Sequence, residues 1–272
     1  MQTFVSVTSE YKRIKELLSF QILDTPNEEE FDNLVKVVAR IFNAPVVAIT
    51  FLDEKRQWIK ASVGLNFCET ERKYAICNYT IRQCSITEIP DMSIDERFSS
   101  LPFVAGAPFY RYYAGFPLKT ESGYLLGALC IMDFKTRHLR DEEKELLAAF
   151  ARSVMSQVEI SARYRMFTNI NEARGRICCA ISRYMQDPTQ PIPQLEGLPE
   201  YQAEYLTSVN GLHELDNLLM QEADNINKEL MEMKRQKRIA LRGAVESLQC
   251  PCLKQLTLGY LRDMETETLV EV

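Results

Sequence analysis

The feature that most constrains this chain is a change of hydrophobic period near residue 44. Upstream, apolar residues recur every three or four positions, as Ile14, Leu17, Leu18 and Ile22, then as Phe31, Leu34, Val35, Val38, Ala39 and Phe42. That spacing predicts amphipathic helices over residues 10–23 and 28–43. Ser9 is positioned to cap the first, and Glu28, Glu29 and Glu30 favour the start of the second through its dipole. Asp24-Thr25-Pro26-Asn27 breaks the chain between them. From Val46 to Leu52 the residues are continuously β-branched, apolar or aromatic, and residues 53–56 are polar. Residues 57–63 then alternate up to Gly64, which predicts a β-hairpin.

Further along, a short helix is expected over residues 74–82 and a brief strand over 86–89. A loop with Pro90, Pro102, Gly106 and Pro108 follows, then strands over 111–118 and 125–132 turning at Gly123. Asp141-Glu142-Glu143 opens a helix carrying Leu146, Leu147, Phe150, Val154 and Val158 to about residue 165. The order helix, helix, two strands, helix, short strand, long loop, two strands, helix reads as an α+β domain with an antiparallel sheet. Beyond residue 166 the pattern is helical only. Prolines 188, 191, 193 and 199 mark a hinge-like break over residues 187–199. Leu212, Leu215, Leu219, Ala223, Ile226, Leu230 and Met233 then repeat at spacings of three and four, which fits a coiled coil or a helical hairpin. The expected division is therefore residues 1–165 and an all-α region over 166–272.

A net charge of −6, from 32 basic and 38 acidic residues, argues against a dedicated nucleic-acid binder, and the basic run at residues 234–238 reads as a solvated helix face. No apolar run approaches the ~18 residues of a membrane span, and the first residues lack a basic stretch followed by an apolar one. A cytoplasmic location is the expectation. The eight cysteines include no pairs at zinc-ligand spacing, and only two histidines accompany them, so they read as reduced and mostly buried thiols with no metal. Neither GxGxxG, GxxxxGK nor GxSxG occurs. No residue is assigned a catalytic role, and the expectation is a protein that is not an enzyme.

Five collinear stretches carry a family resemblance. They are RIKELLSFQILDTPNEEEF (13–31), APVVAITFLDEKRQWIKASVG (44–64), residues 69–81, DERFSSLPFVAGAPFYRYYAGFPL (95–118) and GYLLGALCIMD (123–133). Together they resemble a GAF domain of the bacterial-type sensory branch, whose first helix ends at an ILDTP-like break; the resemblance covers about residues 10–160. It implies an antiparallel sheet with helices on one face and a small-molecule pocket on the other, lidded by loops and a short helix. On that resemblance the ligand-binding candidates are Trp58, Cys77, Asn78, Asp91, Arg97, Phe98 and Tyr113. Trp58 offers a stacking wall. Tyr79 stands where relatives often carry the histidine of a Cys-x-His pair, and this argues against imidazole chemistry or bilin attachment. Alternation along the strand turns only one of Tyr112 and Tyr113 inward. The ligand itself is left unidentified.

The function implied is a non-catalytic sensory protein that binds a small molecule or a protein partner. It would transmit its state along the helix from Asp141 and self-associate through its helices as a homodimer. The alternatives are a cysteine-dependent methionine sulfoxide reductase using Cys68, Cys77, Cys84 or Cys130, and a ligand-free interaction scaffold.

Overall fold

The computed structural model describes residues 7–187 and 209–267. Helices α1 (Val7–Ser19) and α2 (Glu29–Ile41) lead into a hairpin of β1 (Val46–Leu52) and β2 (Arg56–Val63). Then come β3 (Glu69–Glu71), a 3-10 turn at Arg72–Tyr74 and α3 (Cys77–Thr80). After β4 (Thr87–Ile89) and α4 (Pro102–Ala105), the strands β5 (Tyr112–Lys119) and β6 (Leu125–Asp133) complete the sheet. Helices α5 (Asp141–Gln186), α6 (Val209–Glu246) and α7 (Pro251–Glu267) follow. The sheet has six strands in the order β3-β2-β1-β6-β5-β4, every neighbouring pair antiparallel. This is the expected α+β architecture, an antiparallel sheet with flanking helices and an all-α C-terminal region.

Strand alternation sorts the side chains into two cores. Val47, Ile49 and Phe51 of β1 join Leu129 and Ile131 of β6 on one face, packed with Phe31, Leu34 and Val38 of α2 and Leu147, Phe150 and Val154 of α5. Each such side chain contributes about 1.5–3 kcal/mol on full burial, which is why the two apolar stripes fold onto the sheet. Val46, Ala48 and Leu52 point the other way, to a second core beneath α3.

The break after α1 has a physical cause. Gln21 and Asp24 adopt left-handed backbone angles (φ 48° and 58°), and the Thr25 hydroxyl donates to the Ile22 carbonyl at 2.8 Å. That loop cradles Lys60, a side chain with no exposure, whose ammonium donates to Thr25 Oγ1, the Pro26 carbonyl and Glu28 Oε1 at 2.7–2.8 Å.

By packing, the chain falls into two units, one of residues 1–158 with 237–272 and one of residues 159–236, whereas the sequence-based division falls after residue 165. In the first, Val245, Leu248 and Leu253 near the α6–α7 junction join the α2 core, and Arg40 lies over the Tyr260 ring. In the second, the seam of Leu212, Leu215, Leu219, Ala223, Ile226 and Leu230 buries against Ile160, Ile170, Ala173, Ile177 and Ala180 of α5. Ion pairs Arg174–Asp216 and Arg163–Glu229 set the two helices antiparallel, so this region is a helical hairpin. Lys234, Arg235 and Arg238 are exposed, while Lys237 reaches Gln157 Oε1 at 2.7 Å. The break expected at residues 187–199 lies outside the described residues apart from Asp187. Among the described residues no helix is long and apolar enough to cross a membrane.

Candidate functional site

The sheet face under α3 holds a polar island within an apolar core. Thr50 on β1, Cys77 and Thr80 on α3, Tyr113 on β5 and Cys130 on β6 converge there, each at most 2% exposed. The Tyr113 hydroxyl donates to Cys77 Sγ at 3.2 Å and shares a 2.7 Å hydrogen bond with Thr80 Oγ1. Cys77 Sγ and Cys130 Sγ are 3.9 Å apart. Gly115 leaves the room for this arrangement, because a Cβ there would lie 2.2 Å from the Tyr113 hydroxyl. Burial, and then the neighbouring thiols, push the Tyr113 hydroxyl well above its ordinary value.

Above the island lies an aromatic and cationic rim. Tyr79 meets Phe98 edge to face at 4.9 Å, and the guanidinium groups of Arg82 and Arg97 lie 4.9 and 5.9 Å from the Tyr79 ring. Asp95 holds Arg97 through paired hydrogen bonds of 2.9 and 2.7 Å, and that contact keeps the Asp95 carboxyl below its ordinary range. On the other flank, Asn78 Oδ1 accepts from Arg72 Nε at 3.1 Å. The same Arg72 donates to Glu10 Oε1 at 2.6 Å and to the Asp53 carbonyl at 2.8 Å. Burial raises the Glu10 pKa, but hydrogen bonds from Arg13 and Arg72 outweigh it and hold this group at about 2.

The structure thus brings Cys77, Phe98 and Tyr113 together in one core, with Asn78 and Arg97 at its edges. Trp58 lies on the opposite face of the sheet, tilted against Phe51 at 6.4 Å. Its neighbour Ile59 takes the α3 side, so alternation turns Trp58 toward the helices. Asp91 stands apart in a turn, where its Oδ1 accepts from the Ser93 backbone N–H at 2.9 Å and hydroxyl at 2.6 Å. Cys130, Thr80 and Thr50 belong to the island and were not singled out as ligand-binding residues. Alternation along β1 and β6 could have found Thr50 and Cys130, since Ala48 pairs with Cys130 and Thr50 with Ala128. Among the described residues no cluster of histidine, cysteine and carboxylate groups could hold a metal ion.

A separate cleft of about 660 Å³ lies between α1 and the β1–β2 turn, floored by Ile14, Leu17 and Ile22. Its rim is self-satisfied, because Arg56 is engaged by Asp24, Asp53 and Glu69.

The model of the GAF domain family matches residues 26–158. Over 138 residues the chain is 36% identical to a cyclic di-GMP phosphodiesterase of Pseudomonas aeruginosa, a match covering 50% of this chain and 24% of that protein. The chain therefore spans about a quarter of that curated relative's length. Among solved structures, the GAF domain of an Acinetobacter phosphoenolpyruvate-protein phosphotransferase is 17% identical, with 55% of this chain and 92% of that one covered at a TM-score of 0.42. The free methionine-R-sulfoxide reductase of Neisseria meningitidis is 14% identical, covering 55% and 88% at a TM-score of 0.42. One expectation is corrected here. The expectation of a protein that is not an enzyme is overturned by a relative, 36% identical over 138 residues, that is named for an enzymatic activity. The absence of familiar nucleophile and phosphate motifs was too narrow a ground for that reading. The matched family, the six-stranded antiparallel sheet and the helices on its first face agree, and residues 26–158 of this chain are a GAF domain.

Proposed function

We propose that this chain is a sensory or regulatory GAF protein of a signalling pathway, with its input on the α3 face and its output along α5. The observation that carries this reading is the GAF match over residues 26–158, beside a 36% identity over 138 residues to a protein named a cyclic di-GMP phosphodiesterase. The arrangement of the domain supports it. Cys77, Phe98 and Tyr113 are the core-side ligand candidates, with Asn78 and Arg97 at the rim, and β6 of the same sheet leads into the 46-residue helix α5. A GAF domain attached to a catalytic neighbour would act by changing that neighbour's activity. The described cysteines are free thiols, which supports a reducing, cytoplasmic location.

A second reading has its own observation. The α3 face is closed by its own side chains, with Met92, Phe98, Tyr113 and Ala128 all at most 1% exposed. Such packing favours a module read by a protein partner instead of one waiting for a ligand. The experiment that separates them is native mass spectrometry of the full chain as purified, followed by thermal shift with cyclic AMP, cyclic GMP and cyclic di-GMP. A bound adduct, or a rise in Tm that Phe98→Ala abolishes, supports the ligand reading. No adduct and no shift with any of the three refutes it in favour of the partner reading.

A further inference from the structure

Free buried cysteines usually behave as small hydrophobes and need no hydrogen-bond donors around them. Cys77 and Cys130 differ on three counts. Their sulfurs lie 3.9 Å apart, both side chains are at most 2% exposed, and the Tyr113 hydroxyl is aimed at Cys77 Sγ from 3.2 Å. Because the Tyr113 proton is engaged by that sulfur, Thr80 supplies the proton of the 2.7 Å Thr80–Tyr113 bond, giving a chain Thr80 to Tyr113 to Cys77. Hydroxyls in an apolar core are costly unless bonded, so a relay of two that ends on one sulfur marks a place built for charge on that sulfur.

We propose that Cys77 and Cys130 are a redox pair, oxidised by hydrogen peroxide to a disulfide that ties α3 to β6. The Cys77 thiolate attacks one peroxide oxygen; the S–O bond forms, the O–O bond breaks, and hydroxide leaves to become water with the thiol's former proton. The Cys130 sulfur then attacks Cys77. The S–S bond forms and the S–O bond breaks, and the departing hydroxide takes the Cys130 proton as a second water. In sum, two thiols lose two electrons and two protons while one peroxide is reduced to two waters.

The assignment of roles follows the environment. Hydrogen bonding from Cys130, ahead of the opposing effect of burial and with help from Thr50 and Tyr113, holds the Cys77 thiol below its ordinary value. The bond to Cys77, and then burial, raise the Cys130 thiol well above its own. Cys77 is thus the attacking sulfur and Cys130 the resolving one. Closing the gap to a bond of about 2.05 Å needs a shift of about 2 Å, which falls on α3, a four-residue helix between loops. Hydrogen peroxide is uncharged and close to water in size, which suits a pair enclosed on all sides. This pairing rests on geometry alone and stands apart from whether the face binds a ligand.

The test treats the full chain with one equivalent of hydrogen peroxide, then denatures, alkylates and maps the cysteines by mass spectrometry. The expected result is a Cys77–Cys130 crosslink, 2 Da lighter than the two thiols, that dithiothreitol reverses and that cumene hydroperoxide forms at least tenfold more slowly. In Cys130→Ser the crosslink is absent and Cys77 carries a sulfenic acid that dimedone traps. Recovery of Cys77 and Cys130 fully alkylated, while exposed Cys68, Cys84, Cys178 and Cys179 carry the oxidation, overturns the proposal. The mapping needs only the wild-type chain, so it decides the matter even where the variant fails to fold.

Discussion

Replacing Lys60 with methionine tests whether the loop after α1 is held by its cradle or merely lies over it. Lys60 is the extra residue at the β1–β2 irregularity, where pairing steps from Ile49 with Ala61 to Thr50 with Ile59. Its ammonium, on a side chain with no exposure, satisfies the Thr25 hydroxyl, the Pro26 carbonyl and the Glu28 carboxylate, and lies 5.2 Å from the Phe31 ring. Methionine keeps most of the stem's volume but leaves these oxygens without their donor. Breaking a fully buried ion pair costs about 3–5 kcal/mol. Glu28 keeps 25% of its side chain exposed, so water can reclaim it, and the expected loss falls to about 2–3 kcal/mol. For a unit of this size that lowers Tm by about 5–10 °C. Trp58, the chain's single tryptophan, lies 5.9 Å from the ammonium and reports the unfolding by its fluorescence in a urea titration. Adding Glu28→Gln to Lys60→Met should restore part of the loss by removing the charge that Lys60 had balanced. A Lys60→Met chain within about 0.5 kcal/mol of wild type would refute the reasoning, because replacing buried ion pairs by apolar side chains is sometimes neutral.

Three further outcomes are expected. Leu219→Glu with Ile226→Glu buries two charges at positions only 3% and 4% exposed, so the helicity contributed by the α5–α6 pair should drop by circular dichroism; a folded chain with unchanged melting contradicts the hairpin. Gly127→Ala puts a Cβ 1.8 Å from the Thr50 carbonyl oxygen, forcing β6 away from β1, and should cost about 3 kcal/mol or more in a denaturant titration. Glu10 has a folded pKa of about 2 against an ordinary 4.5, so its stabilisation is complete above about pH 4.5 and is lost as pH falls toward 2. The difference in Tm between wild type and Glu10→Gln should therefore narrow on acidification, and a difference constant from pH 7 to pH 3 would count against the ion pairs.

Most of the sheet was legible because its strands carry their own period. The reading of residues 46–52, 57–63, 111–118 and 125–132 falls within about a residue of β1, β2, β5 and β6. β3 was missed because Glu69-Thr70-Glu71 is an exposed edge with no apolar signal, held by pairing with β2. The helix expected to end near residue 165 runs on to Gln186, since nothing in residues 166–186 breaks it and a hairpin partner covers Ile170 and Ile177. For the candidate site, Cys77 on α3 and Tyr113 on β5, both named by the resemblance, do pack into one core. The resemblance misplaced Trp58, whose direction depends on how β2 meets β1, a tertiary fact that alternation from one end does not fix. The role of the Asp24-Thr25-Pro26 break was also hidden, because its partner Lys60 lies 34 residues away from Pro26.

The remaining question is how a change at α3 would leave the domain, and the contacts around it supply two routes of different stiffness. On one side, Asn78 is joined through Arg72 to Glu10, and Glu10 is held in turn by Arg13, which reaches the Leu126 carbonyl on β6. On the other, Cys77 meets Cys130 directly on β6, the strand that precedes α5. Both routes therefore end on the same strand, one through partly buried charged side chains and one through the apolar core. The first weakens as salt screens its ion pairs, and the second does not. Packed interiors respond to a displaced neighbour by shifting as a unit, so the core route is the stiffer of the two. If the proposed output runs along α5, its sensitivity to α3 should persist at high salt and should change when Cys77 or Cys130 is altered.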